Sequence, residues 1–141
     1  MIRKGLFAAL GALEGFVGLG ALAGGAALFF APDGSILRMP VSLLHGTPFN
    51  DYRIPGLILL VANGAVNSLA GILALMRRPS AASAALVAGA IQIGWIVVEV
   101  GLVGYIHWAQ ILYFVFGMAT IALALALRHA STGFSETTKI H

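Results

Sequence analysis

Cysteine is absent from all 141 residues. That excludes disulfides, thiolate nucleophiles, iron–sulfur clusters and thiolate metal sites. Charge is nearly as scarce: Lys and Arg number 8, Asp and Glu 5, together 9% of the chain against 60% hydrophobic residues. A soluble domain carries about 25% charged residues to cover its surface. So few charges leave lipid as the solvent for most of this one. The net charge of +3 and a pI near 9.8 do not indicate nucleic acid. The basic residues sit in small groups at the ends of apolar runs, where they anchor helices against headgroups.

The apolar runs dominate the chain. A spanning helix needs about 20 mostly apolar residues, and four stretches qualify. They predict an all-α fold, a four-transmembrane-helix bundle with helices over 5–31, 55–76, 81–106 and 108–127 in a single domain over 1–130. The first run follows Arg3 and Lys4 as a signal peptide would, but it exceeds the roughly 7–15 residues of a signal core and Ala31-Pro32-Asp33 is a poor cleavage site, so it reads as a retained helix. Pro55 suits a first helical turn, where a missing N–H is tolerated. Arg77-Arg78-Pro79 ends the second helix, and Ser80 is the expected N-cap of the third. Little more than His107 separates the third and fourth, which implies a tight hairpin.

Arg3, Lys4, Arg77, Arg78, Arg128 and Lys139 fall on one side, Arg38 and Arg53 on the other. The positive-inside rule then places both termini in the cytoplasm, with residues 131–141 as a flexible cytoplasmic tail. The one long connection, 32–54, lies outside. Pro32-Asp33-Gly34 reads as a turn, but Ile36, Leu37, Met39, Leu43, Leu44 and Phe49 are too apolar for a free loop. A short interfacial helix or a lid over the outer mouth is expected.

Eighteen glycines supply smooth faces for helix contact, since lipid provides no hydrophobic force between helices. Gly11, Gly18 and Gly25 recur every seven residues, and Gly94 and Gly101 form a second face; one of the two is a candidate for homo-oligomer contact.

Few polar residues interrupt the spans. Glu14 shares a face with Phe7, Gly11, Gly18 and Ala21; Asn63 and Asn67 with Gly56, Ala70 and Ala74; Gln92 and Glu99 stand two turns apart; Gln110, Tyr113, Gly117 and Thr120 share a face. No Lys or Arg lies within a span. Glu14 and Glu99 must therefore be protonated, wet or paired with another polar group, since an ionised, unpaired carboxylate at that depth costs several kcal/mol. Pointing all four polar stripes inward makes Glu14, Asn63, Asn67, Gln92, Glu99, Tyr113 and Thr120 candidates for a ligand or proton pathway. Interhelical hydrogen bonding, worth about 0.6–2 kcal/mol each, is the plainer role for the amides, Thr120 and Tyr113. The two carboxyls differ in depth by about 10–15 Å, too far for a dyad acting on one bond.

His45, Asp51, Tyr105, His107, Trp108 and Gln110 form an outer-surface cluster, in which the aromatic residues suit the interfacial belt. A metal site from His45, Asp51 and His107 fits no metal spacing, and none is expected; nor is any cofactor. No phosphate loop, dinucleotide fingerprint or nucleophile–base pattern occurs.

Gly94-Trp95-Ile96-Val97-Val98-Glu99-Val100 with Gly104-Tyr105, Trp108, Gln110 and Tyr113, and Ile54-Pro55-Gly56-Leu57 after Pro48-Phe49-Asn50-Asp51-Tyr52, resemble a group of small bacterial four-helix inner-membrane proteins. The layout is loosely similar to DoxX-type proteins, without a shared motif. The resemblance implies a bacterial inner-membrane location and brings no activity. The placement of Glu14 is similar to the glutamate of small multidrug exporters, whose other motifs are missing. Three roles follow as expectations: small-solute or proton-linked transport first, a non-catalytic accessory subunit second, and a membrane enzyme acting on a lipid or quinone third.

Overall fold

The computed structural model describes residues 2–105 and 107–139, with side chains through Thr132. Helix α1 spans Ile2–Phe30, α2 Arg53–Leu75, α3 Ala81–Val103 and α4 Trp108–Lys139. No strand occurs among the described residues. All four helices are long and apolar enough to cross a membrane. Their outward faces carry Phe16, Leu19, Leu69, Val97, Ile111 and Val115, all exposed, as lipid contact requires. α1 and α3 each pack against both α2 and α4, so α1 and α3 stand diagonally opposed in the bundle.

The helix ends follow local chemistry. α2 stops where Arg77 takes a left-handed φ of 53°, with Arg78 N–H donating to the Leu73 carbonyl at 3.0 Å and Arg77 N–H to Ala74 at 3.0 Å. This is a Schellman closure, formed here on arginine rather than glycine. Ser80 stands at the N-cap position of α3 but contributes no side-chain hydrogen bond; its carbonyl accepts from Ala84 N–H at 2.9 Å. α3 stops at Val103 because Gly104 takes φ 78°; the expected end at Ile106 lies outside the described residues. α4 runs on to Lys139, past the apolar limit at Leu127, since no proline interrupts 128–139. The backbone of the expected tail is thus helical to Lys139, and residues 140 and 141 lie outside the described residues.

α1 and α2 touch through backbone. A Cβ on Gly25 would sit 2.6 Å from Leu60 N and 2.8 Å from the Gly56 carbonyl oxygen, and one on Gly56 would sit 2.8 Å from Phe29 N. Gly18 faces Ser68, and Gly71 faces Gly15 and Glu14. The Gly11–Gly18–Gly25 stripe is thereby consumed inside the bundle. Gly94 and Gly101, in contrast, have nothing within 4 Å of a built Cβ. Gly89 and Gly117 make a second close crossing between α3 and α4, each covered by the other helix's isoleucine, Ile121 and Ile93.

Leu59–Ala65 of α2 is π-helical, a feature the sequence reading did not anticipate. Gly56 and Gly64 are eight residues apart, which on a regular helix turns them about 80° from one another. The wider i→i+5 turns absorb the added residue, and both glycines meet α1, Gly64 at Leu22.

Gly25→Ala is expected to lower stability by about 1–3 kcal/mol, because the backbone it meets cannot retreat. Gly94→Ala should raise it by up to about 1 kcal/mol through helix propensity. Unfolding midpoints of the two variants in one detergent check this.

Candidate functional site

Two polar environments occupy the bundle. The first is a core layer. Glu14, Asn67 and Thr120 are wholly buried, and Asn63 and Gln92 are 2% exposed. The Phe16 and Phe116 rings meet edge to face at 5.9 Å, Gln92 Nε2 donates to the Tyr113 carbonyl at 2.6 Å, and Gly71 abuts Glu14. These contacts bring Glu14, Asn67, Gln92 and Thr120, one from each helix, to one level within about two turns. Within the π-helical segment's reach, Asn67 Nδ2 donates to the Asn63 carbonyl at 2.8 Å.

Most polar atoms of this layer have no partner. Both Glu14 oxygens, both side-chain polar atoms of Asn63, Asn67 Oδ1, Gln92 Oε1, Thr120 Oγ1 and Ser68 Oγ are buried without a hydrogen bond among the described residues. A buried amide or hydroxyl left unpaired costs about 1–3 kcal/mol. Ser68 was not singled out from the sequence. Its position on the small-residue row Gly64–Ser68–Gly71 was the available signal, and it faces Gly18.

The second environment is a cavity of about 140 Å³ lined by α1, α2, α3 and the 31–52 segment, with Glu99 on its wall. Glu99 is half-buried and lies about 10 Å along α3 from Gln92. The 31–52 segment is the lid over this cavity. Gly34 turns the chain at φ 77°, where a Cβ would strike the Met39 carbonyl. Met39 N–H donates back to Gly34 at 2.9 Å, and Tyr52 N–H to Pro32 at 2.9 Å. Val41–Leu44 forms one 3₁₀ turn. Tyr52, 4% exposed, donates its hydroxyl to the Pro40 carbonyl at 2.9 Å, and burial raises its pKa above the ordinary tyrosine value. Leu28, Leu44 and Tyr52 form a small apolar core with Met39, Phe49, Leu59 and Val103 around it. Met39, Leu43, Leu44 and Phe49 of this loop therefore serve as cavity wall, whereas Ile36 and Leu37 are exposed.

Of the remaining sequence candidates, Tyr113 meets the core layer only through its carbonyl, and the others stand outside both environments. Tyr113 is half-buried, its ring edge to face with Phe116 at 5.8 Å. Gln110 is buried and fastens the α3–α4 turn: Nε2 donates to Gly104 at 3.2 Å, and Oε1 accepts from His107 N–H at 3.3 Å. His107 and Trp108 stack at 5.2 Å; His45, Tyr105, His107 and Trp108 are exposed. Asp51 Oδ1 accepts from Arg53 N–H at 3.0 Å, starting α2. Among the described residues no three His, Asp or Glu side chains gather as a metal site requires.

Tyr52→Phe is expected to cost about 1 kcal/mol and to speed amide exchange at Met39. In the native chain the phenol ionises more readily once the lid opens. The hydroxyl's contribution is therefore complete below about pH 10, the ordinary tyrosine value, and is lost as pH rises beyond it. Tyr52→Phe should remove that alkaline loss, read by amide exchange at Met39 across pH.

No known protein family, no curated protein and no solved structure matches the chain, so its residues alone carry the functional reading.

Proposed function

We propose that this chain is a four-span membrane protein of a bacterial inner membrane that moves a small solute, or protons, through its polar core. Both termini and the turn between α2 and α3 face the cytoplasm in this reading, and the 31–52 lid faces outward. The distribution of Lys and Arg supports that orientation.

The observation that carries the proposal is the layer of buried, unpartnered polar atoms on Glu14, Asn63, Asn67, Ser68, Gln92 and Thr120. Within hydrocarbon nothing outside the protein satisfies such groups. A bundle selected for stability alone is better served by apolar residues of similar volume. Groups retained in this state have a purpose when water, a proton or a polar solute passes among them. Internal water typically makes about three hydrogen bonds, a number this layer readily supplies.

An accessory role in a larger complex is the second reading. It is favoured by the open Gly94 and Gly101 face, which is smooth enough for a partner helix. The enzyme reading gains the cavity beside Glu99, but neither Tyr113 nor His107, the partners expected for it, lines that cavity.

In proteoliposomes with an entrapped pH indicator and an imposed pH gradient, the native chain should move protons alone or on addition of small amines, zwitterions or neutral polar solutes. Glu14→Gln should reduce that flux at least about ten-fold, the loss expected for one essential proton-transfer group. Native flux retained in both Glu14→Gln and Glu99→Gln would exclude a proton-linked role for the two acids.

A further inference from the structure

We propose that the cavity beneath the 31–52 lid binds a lipophilic amine, with Glu99 as the counter-ion of its ammonium head. The inference stands apart from transport, because binding is measured without flux.

The walls define the ligand's body. Leu28, Leu44, Phe49, Val98 and Leu102 are apolar, and among the described residues no Lys, Arg or His lines the cavity. The two hydroxyls on the wall are already engaged. Thr47 Oγ1 donates to the Leu44 carbonyl at 2.7 Å and accepts from Phe49 N–H at 3.3 Å, and the Tyr52 hydroxyl donates to Pro40. A space of about 140 Å³ is close to the roughly 150 Å³ of a dry cavity that holds one benzene ring. The body is therefore a single ring or a short branched alkyl group.

Glu99 defines the head. It makes no hydrogen bond or ion pair with any described residue, and the wall offers it no cation. A carboxyl alone among apolar walls is satisfied by a ligand that brings hydrogen-bond donors, best with a positive charge, since charge-assisted bonds are roughly twice as strong as neutral ones. A carboxylic acid ligand meets repulsion there. An aliphatic ligand without a head leaves Glu99 dehydrated and unpaired. Trp95 lines the same cavity one turn before Glu99, so an indole borders the space an ammonium would occupy, and such a pair attracts.

The cavity's edge defines the route. Ile58, Val98 and Leu102 line it and are also exposed on the outer faces of α2 and α3. It therefore opens sideways between those helices, at the surface that the apolar spans present to lipid. A lipophilic amine concentrates there before it binds.

The test uses the full chain in phosphatidylcholine nanodiscs, with Trp108→Phe so that Trp95 is the only indole reporter. Cyclohexylmethylamine, the matching alcohol and the matching carboxylic acid are titrated at neutral pH. Saturable quenching or shift of Trp95 emission is expected for the amine. The alcohol should bind at least about ten-fold more weakly and the acid not at all. Glu99→Gln should weaken the amine about ten-fold or more, and Leu102→Phe, which narrows the sideways opening without adding an indole, should slow its entry. Repeating the titration with phosphatidylethanolamine in the disc separates sources. Competition identifies a lipid amine headgroup as the occupant, and no competition a free amine; both support recognition of an amine by Glu99. Alcohol or acid binding as tight as the amine, or amine affinity unchanged within about two-fold in Glu99→Gln, would overturn the proposal. If Glu99→Gln does not fold, the ranking of the three ligands on the native protein decides.

Discussion

Backbone contact between α1 and α2 governs the rest of this bundle. In hydrocarbon, helices gain nothing from hiding apolar side chains from one another, so they associate where small residues let their main chains meet. Gly25 meets the main chain of Leu60 and Gly56, and Gly18 against Ser68 and Gly71 against Glu14 continue the contact down the crossing. Side chains on these faces are pinned between main chains. Glu14, Asn63 and Asn67 become buried for that reason, since they share the helical faces that the glycines commit to the contact.

The π-helical turns of α2 follow from the same constraint. Gly56 and Gly64 are spaced by eight residues and Gly64 and Gly71 by seven, so on a regular helix Gly64 and Gly71 stand about 80° and 60° round from Gly56, at the edge of a shared face toward α1. Widening the turns over Leu59–Ala65 reconciles the spacing with the contact. The amide of Asn67 then donates to the Asn63 carbonyl at the end of the widened segment. A departure from α geometry here lies beside the polar layer, as π-bulges frequently lie at functional sites.

Much of this was legible in the sequence. Four apolar runs and their polar stripes read directly, because hydrophobic length and helical phase are local properties. The inward positions of Glu14, Asn67, Gln92 and Thr120 followed from phase alone. What escaped depended on partners distant in sequence. The π-helical segment is visible only once Gly56, Gly64 and Gly71 are known to meet one helix. Ser68 looked like an ordinary small residue until Gly18 was placed against it. Residues 31–52 announced a lid through Met39, Leu43, Leu44 and Phe49, but not that they would wall a cavity onto Glu99. Gln110 matched the polar face of α4 by phase and also serves the α3–α4 turn, a local demand that phase does not express. The two acids, alike in the sequence, stand in unlike surroundings: Glu14 wedged in main-chain contact, Glu99 free at a cavity wall.

Solid-state NMR of the chain in bilayers, carbon-labelled only at glycine, tests the α1–α2 crossing most directly. Through-space cross-peaks between the Cα atoms of Gly25 and Gly56 and between those of Gly89 and Gly117 are predicted, with none joining Gly94 to any glycine of another helix. Absence of the Gly25–Gly56 peak in a well-resolved spectrum would contradict the account, and with it the burial of Glu14 and the asparagines.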